Sequence, residues 1–100
     1  MNMILATIAQ EKKRIEYMLT KYQEEYDQLP KGSLSEKKVG ERTYFYLKYR
    51  DGKRVVSQYI SKSHIDEFRT QIEKRKHIEA MIKSLQNELA IANKVLEVEL

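Results

Sequence analysis

Tyr44, Tyr46 and Lys48 alternate along one β-prone run that ends at Arg50, and Lys53 and Tyr59 recur in the run that follows. Residues two apart fall on one side of a strand. Rings and cations interleaved in this way can stack on nucleobases while the ammonium and guanidinium groups meet phosphates. The same tyrosines would also serve as cross-strand pairs that hold a small sheet together. The surrounding charge favours an anionic partner. Between Lys37 and Lys62 the chain carries eight basic side chains against only Glu41 and Asp51, although its formal net charge is just +4. The positive charge is therefore concentrated in the middle of a chain whose remainder is slightly acidic. The candidate nucleic-acid-binding residues are Lys37, Lys38, Arg42, Tyr44, Tyr46, Lys48, Arg50, Lys53, Arg54, Tyr59 and Lys62. Basic strands also serve solubility and protect sheet edges.

Other chemistry-bearing residues read as structural. The Lys31-Gly32-Ser33 turn could offer N–H groups to a phosphate, but a helix stop followed by a turn explains it without a ligand. His64 and His77 lie apart, without the carboxylates of a metal site, and read as exposed bystanders. Lys12-Lys13-Arg14 and Lys74-Arg75-Lys76 read as solvated helix faces. The chain has no cysteine, which excludes disulfides and thiolate metal sites. It carries no Gly-rich phosphate loop, zinc-binding helix motif or serine nucleophile elbow. The expectation is a protein that is not an enzyme and uses neither cofactor nor metal.

The elements that must position these residues follow from periodicity. Leu5, Ile8, Lys12, Ile15, Leu19, Tyr22, Tyr26 and Leu29 alternate steps of three and four, a heptad seam with one polar intruder, Lys12. This predicts a helix over about 3–29, ended by Pro30 because a residue before proline is driven from the helical region. A second helix over about 64–98 is announced by Ser63 as N-cap with Asp66 three residues on. Its seam reads Ile65, Phe68, Ile72, then Ile78, Ile82, Leu85, Leu89, Ala92 and Leu96. The repeat slips across Glu73 to His77, so the apolar stripe must shift there. In between, Arg42 to Arg50 and Lys53 to Ile60 are strands joined at Asp51-Gly52, the signature of a type I′ hairpin. A two-residue loop puts Phe45, Leu47, Val56 and Ile60 on one face and Tyr44, Tyr46, Lys48, Lys53 and Tyr59 on the other; a three-residue loop would swap the faces of the second strand. A strand over Leu34 to Val39 completes a meander of about 34–60. The fold class is α+β and mostly helical: one domain, an antiparallel two-helix coiled-coil hairpin with a three-stranded antiparallel β-meander at its tip.

Three stretches, Leu29-Pro30-Lys31-Gly32-Ser33-Leu34, then Arg42 to Arg50, then Ser57-Gln58-Tyr59-Ile60, resemble an uncharacterised prokaryotic family of short proteins. Its members carry an LPKGSL turn, a YYYLxYR-type hairpin and a long charged C-terminal helix, and the resemblance implies no activity. The order of meander and helix also resembles the arm-binding domain of tyrosine recombinases, in which a three-stranded sheet enters the DNA major groove.

The composition, 34% charged and 41% hydrophobic, supports a helix-rich module with room for only a limited core. Charges arrive too early for a signal peptide and no apolar run is long enough for a membrane span, so the expected location is cytoplasmic. DNA or RNA is the expected partner. The alternative is a protein-binding adaptor or inhibitor, such as a mobile-element, anti-CRISPR-like protein that blocks a nucleic-acid enzyme. Leu89, Ile91, Ala92, Val95, Leu96 and Val98 offer more apolar surface than one partner helix covers, which predicts a homodimer through these turns.

Overall fold

The computed structural model describes residues 2–98. The elements are α1 (Met3–Gln28), β1 (Ser33–Val39), β2 (Arg42–Asp51), β3 (Arg54–Ile60) and α2 (Ile65–Val98), an α+β, mostly helical chain. They form two compact units, one from the residues up to Gln28 with those from His77 onward, the other from Leu29–Lys76. The meander runs one residue beyond the expected start, and each helix is within a residue of its expected bounds.

In the helical unit, α1 starts because Asn2 caps it: the Asn2 Oδ1 accepts from the Leu5 N–H at 2.8 Å and the Asn2 carbonyl accepts from the Ala6 N–H at 3.0 Å. The two helices pair antiparallel. Ile8 and Ile15 share a groove with Ile91 and Val95, whereas Leu19 and Gln23 share one with Ile82 and Gln86. The predicted seams meet here: Leu5, Ile15, Ile78, Ile82, Leu85 and Ala92 are buried, with Ile8, Lys12, Leu19, Tyr22, Tyr26, Leu89 and Leu96 half-buried beside them. Arg14 hydrogen-bonds the Glu11 carboxylate and thereby holds its carboxyl below the ordinary range.

In the sheet unit, β2 lies between β1 and β3 and pairs antiparallel with both. Residues of β2 alternate between two faces. Phe45, Leu47 and Tyr49 face the start of α2, where Leu47 and Ile60 pack with Ile65 and Ile72, joined by Leu34 and Phe68. Arg69 lies 5.4 Å over the Phe45 ring and 3.8 Å from Glu36, closing one side of this core. Lys31 lies 5.8 Å over the Tyr49 ring.

Three local expectations are corrected. The second hairpin pairs Asp51 with Arg54, so its loop is Gly52-Lys53 and not Asp51-Gly52. The first pairs Val39 with Arg42 around Gly40-Glu41. Both glycines have φ 63°, and among the described residues no other type has positive φ. This is the type II′ pattern, which asks for positive φ only at the first central position; a type I′ turn would have forced Asp51 there as well. The register shifts by two, so the strand faces keep their expected composition, except that Lys53 moves to the loop. Second, Ser63 does not cap α2. The first helical bond runs from the Phe68 N–H to the His64 carbonyl, and His64 is tied back to Ser61 through backbone (3.0 Å) and through Nδ1 and the hydroxyl (2.7 Å). Third, the run across the slipped repeat is not a uniformly solvated face. Glu73, Lys74, Lys76 and His77 are exposed, but Arg75 is half-buried and its Nη1 donates to the Leu29 carbonyl at 2.7 Å. The seam thus runs Ile72, Arg75, Ile78, a three-residue step whose middle position serves a backbone acceptor freed by Pro30.

Gly32 is the most constrained glycine. Its φ is 116°, and a Cβ there would stand 2.3 Å from the Lys48 carbonyl oxygen, whereas Gly40 and Gly52 have open space. Gly32→Ala is therefore expected to cost on the order of 3 kcal/mol in urea unfolding, combining a disfavoured backbone with overpacking. Gly40→Ala is expected to cost about 1–2 kcal/mol from the backbone alone; equal costs would refute the close-approach argument. Arg75→Met, which keeps the stem and removes the donor, should lose about 1–2 kcal/mol in the same assay. An unchanged midpoint would mean that water serves the Leu29 carbonyl as well.

Candidate nucleic-acid interface

Because Phe45, Leu47 and Tyr49 must reach the core, the intervening residues of β2 are directed to the other face. That face carries Arg42, Tyr44, Tyr46, Lys48 and Arg50 along β2. Across from them stand Lys37 opposite Tyr44, Ser35 opposite Tyr46 and Ser33 opposite Lys48 on β1. On β3, Tyr59 stands opposite Tyr46, Ser57 opposite Lys48 and Val55 opposite Arg50. No carboxylate occupies any of these positions. The acidic strand residues Glu36 and Asp51 belong to the opposite face. Lys37, Arg42, Lys48 and Arg50 are exposed, and among the described residues none of them is paired with a carboxylate.

The three tyrosines form one cluster. Tyr59 contacts both of the others from the neighbouring strand, with its ring centroid 6.4 Å from Tyr44 at 54° and 5.9 Å from Tyr46 at 68°. These are tilted and edge-on contacts, the favoured arrangement of aromatic pairs. Tyr44 and Tyr46 are half-buried, while Tyr59, on an edge strand, is 54% exposed. Beside it, Arg42, Thr43, Tyr44, Tyr59 and Lys62 line an open concavity of about 340 Å³.

The structure thus brings together Lys37, Arg42, Tyr44, Tyr46, Lys48, Arg50 and Tyr59 on one face, with Lys62 at its border. It separates three residues from them. Lys38 and Arg54 pair with Thr43 and Asp51 on the face that also bears Phe45 and Leu47, and Lys53 sits at the hairpin tip. Sequence reasoning missed the three serines, Ser33, Ser35 and Ser57, because short hydroxyls carry no signal until the register places them among the cations. His64 and His77 are exposed, and His64 is engaged locally by Ser61. Among the described residues, no three His, Asp or Glu side chains group as metal ligands, and no helix is long and apolar enough to cross a membrane.

Of the six residues expected at an oligomer interface, Leu89, Ala92 and Leu96 turn into the seam with α1. Ile91 and Val95 line the open groove they share with Ile8 and Ile15, and Ile91 is 63% and Val98 85% exposed.

A family model described as a domain of unknown function, DUF6788, matches residues 5–70, more than half of the chain. No curated protein matches the chain, and no solved structure does.

Proposed function

As a member of the DUF6788 family, the chain takes no activity from its relatives, and we propose from its own geometry that it is a nucleic-acid-binding accessory protein whose open sheet face holds the phosphate backbone. One observation carries the reading: the face opposite the core bears four exposed cations and three tyrosines without an acidic residue. Ordinary soluble strands mix both signs of charge to avoid large single-sign fields. A face of one sign raises the local concentration of polyanions and steers them in. Ser33, Ser35 and Ser57 add short hydroxyl donors suited to phosphate oxygens.

We also propose that the helical unit self-associates. The groove between Ile8, Ile15, Ile91 and Val95 is bordered by Glu11, Arg14 and Glu88, so a copy related by a two-fold axis can meet apolar side chains with apolar ones and opposite charges at the rim. Sedimentation of the intact protein is expected to give a dimer that Ile91→Glu with Val95→Glu converts to monomer. A parent that stays monomeric at high micromolar concentration overturns this.

Binding should weaken with salt, with a slope of log K against log salt of about −4 to −5 on duplex and about −3 to −4 on single-stranded oligonucleotides if about five cations reach phosphates. Lys48→Ala with Arg50→Ala should reduce the magnitude of the duplex slope by about two and leave the thermal unfolding midpoint nearly unchanged, because both side chains are exposed. A folded protein with no affinity for any DNA or RNA at low salt would overturn the reading, and the face would then suit an acidic protein surface, as an adaptor or inhibitor requires.

A further inference from the structure

We infer that the open face selects single strands over duplex, with one base stacked on the ring of Tyr59 and the neighbouring phosphate held between Arg42 and Lys62; this rests on the nucleic-acid reading above. The three tyrosines are not equivalent. Tyr44 and Tyr46 lie on the central strand and are half-buried, so their rings are largely used in packing. Tyr59 lies on β3, which has no further strand beyond it, and is 54% exposed. A tyrosine kept only to stabilise the sheet gains by covering its ring, and this one leaves more than half of itself in water.

The geometry of its neighbours explains how it can be held without being covered. Both contacts of Tyr59 are inclined, at 54° to Tyr44 and 68° to Tyr46. Two inclined neighbours restrict the rotation of a ring without stacking flat on it. Ordering a side chain costs conformational entropy, so a ring already restricted loses less on binding a base. The adjoining concavity of about 340 Å³ is lined by Arg42 and Lys62 as well as by Tyr44 and Tyr59, with no carboxylate. It is open to solvent, so a base or phosphate of a flexible strand can settle into it from the surface.

Charge alone cannot distinguish a duplex from a single strand, since both offer phosphates. An exposed ring can. In a duplex each base has its π-faces occupied by its stacked neighbours, whereas a single strand can turn a base onto a protein ring without breaking pairs.

The test compares an oligothymidylate of about 20 nucleotides, longer than the roughly 4–16 nucleotides that small single-strand modules cover, with a duplex of the same length, by fluorescence anisotropy on the intact protein. Tyr59→Leu keeps bulk and strand compatibility while removing the π-face; Tyr59→Phe keeps the ring. The parent is expected to bind the single strand more tightly. Tyr59→Leu should weaken single-strand binding by about 5- to 100-fold and change duplex binding by less than about twofold, and Tyr59→Phe should keep the parent's preference. Arg42→Gln with Lys62→Gln should weaken both ligands and flatten both salt slopes. A parent that prefers duplex, or a folded Tyr59→Leu that affects both ligands equally or neither, overturns the inference while leaving the nucleic-acid reading in place. Absence of binding to either ligand overturns both.

Discussion

Leu47, 3% exposed at the centre of the middle strand, is the residue on which the arrangement of the sheet unit depends. It packs among Ile60, Ile65 and Ile72. Strand side chains alternate with a period of two, so a slip of one residue would expose Leu47 and drive Lys48 into an apolar core. Burying an unpaired ammonium group costs far more than any turn preference can supply. The position of every residue on the open face follows from this single constraint: if Phe45, Leu47 and Tyr49 point inward, then Arg42, Tyr44, Tyr46, Lys48 and Arg50 point outward together.

The glycines and Arg75 make that arrangement attainable. Gly40 and Gly52, each with φ 63° at the first loop position, close both hairpins with two residues and thereby set the register of β1 and β3 against β2. Gly32 allows the chain leaving Pro30 to pass against the Lys48 carbonyl, a contact that any side chain would prevent. Arg75 occupies the position where the apolar stripe of α2 changes step, and it satisfies the Leu29 carbonyl at the entrance to the same turn. The slip in the repeat is therefore a position given to a backbone hydrogen bond.

The two faces of the sheet divide the chemistry between them. Glu36 is used on the core side, where it faces Arg69, and among the described residues no strand carboxylate lies on the face of the cations opposite. Tyrosine suits such a face because its ring packs against neighbours while its hydroxyl stays wet. Inclined packing of three rings leaves the outermost of them both ordered and accessible. The same side chains thus hold the sheet together and give its open face a single sign of charge.

Much of this was determined by local pattern. The heptad seams of α1 and α2, the helix stop at Pro30, the β-runs of the meander and the concentration of cations between Lys37 and Lys62 all depend on residue order alone, because periodicity and proline geometry act over a few neighbouring positions. The α+β class and the grouping of Tyr44, Tyr46, Lys48 and Arg50 were legible for the same reason. Only the tertiary structure decided the rest. Asp51-Gly52 and Gly52-Lys53 are both short-range turns, and which of them forms is legible only from the register that joins Asp51 to Arg54. The cap of α2 is set by a turn that ties His64 to Ser61, a competition that Ser63 loses in space and not in sequence. Lys38 and Arg54 count towards a basic stretch in one dimension, yet register sends them to the other face. Arg75 reads as one cation in a charged run until the carbonyl of Leu29, distant in sequence, is brought to it. Charge and periodicity are properties of neighbours along the chain, whereas a face, a concavity and a hydrogen bond between remote residues exist only after the chain has been folded back on itself.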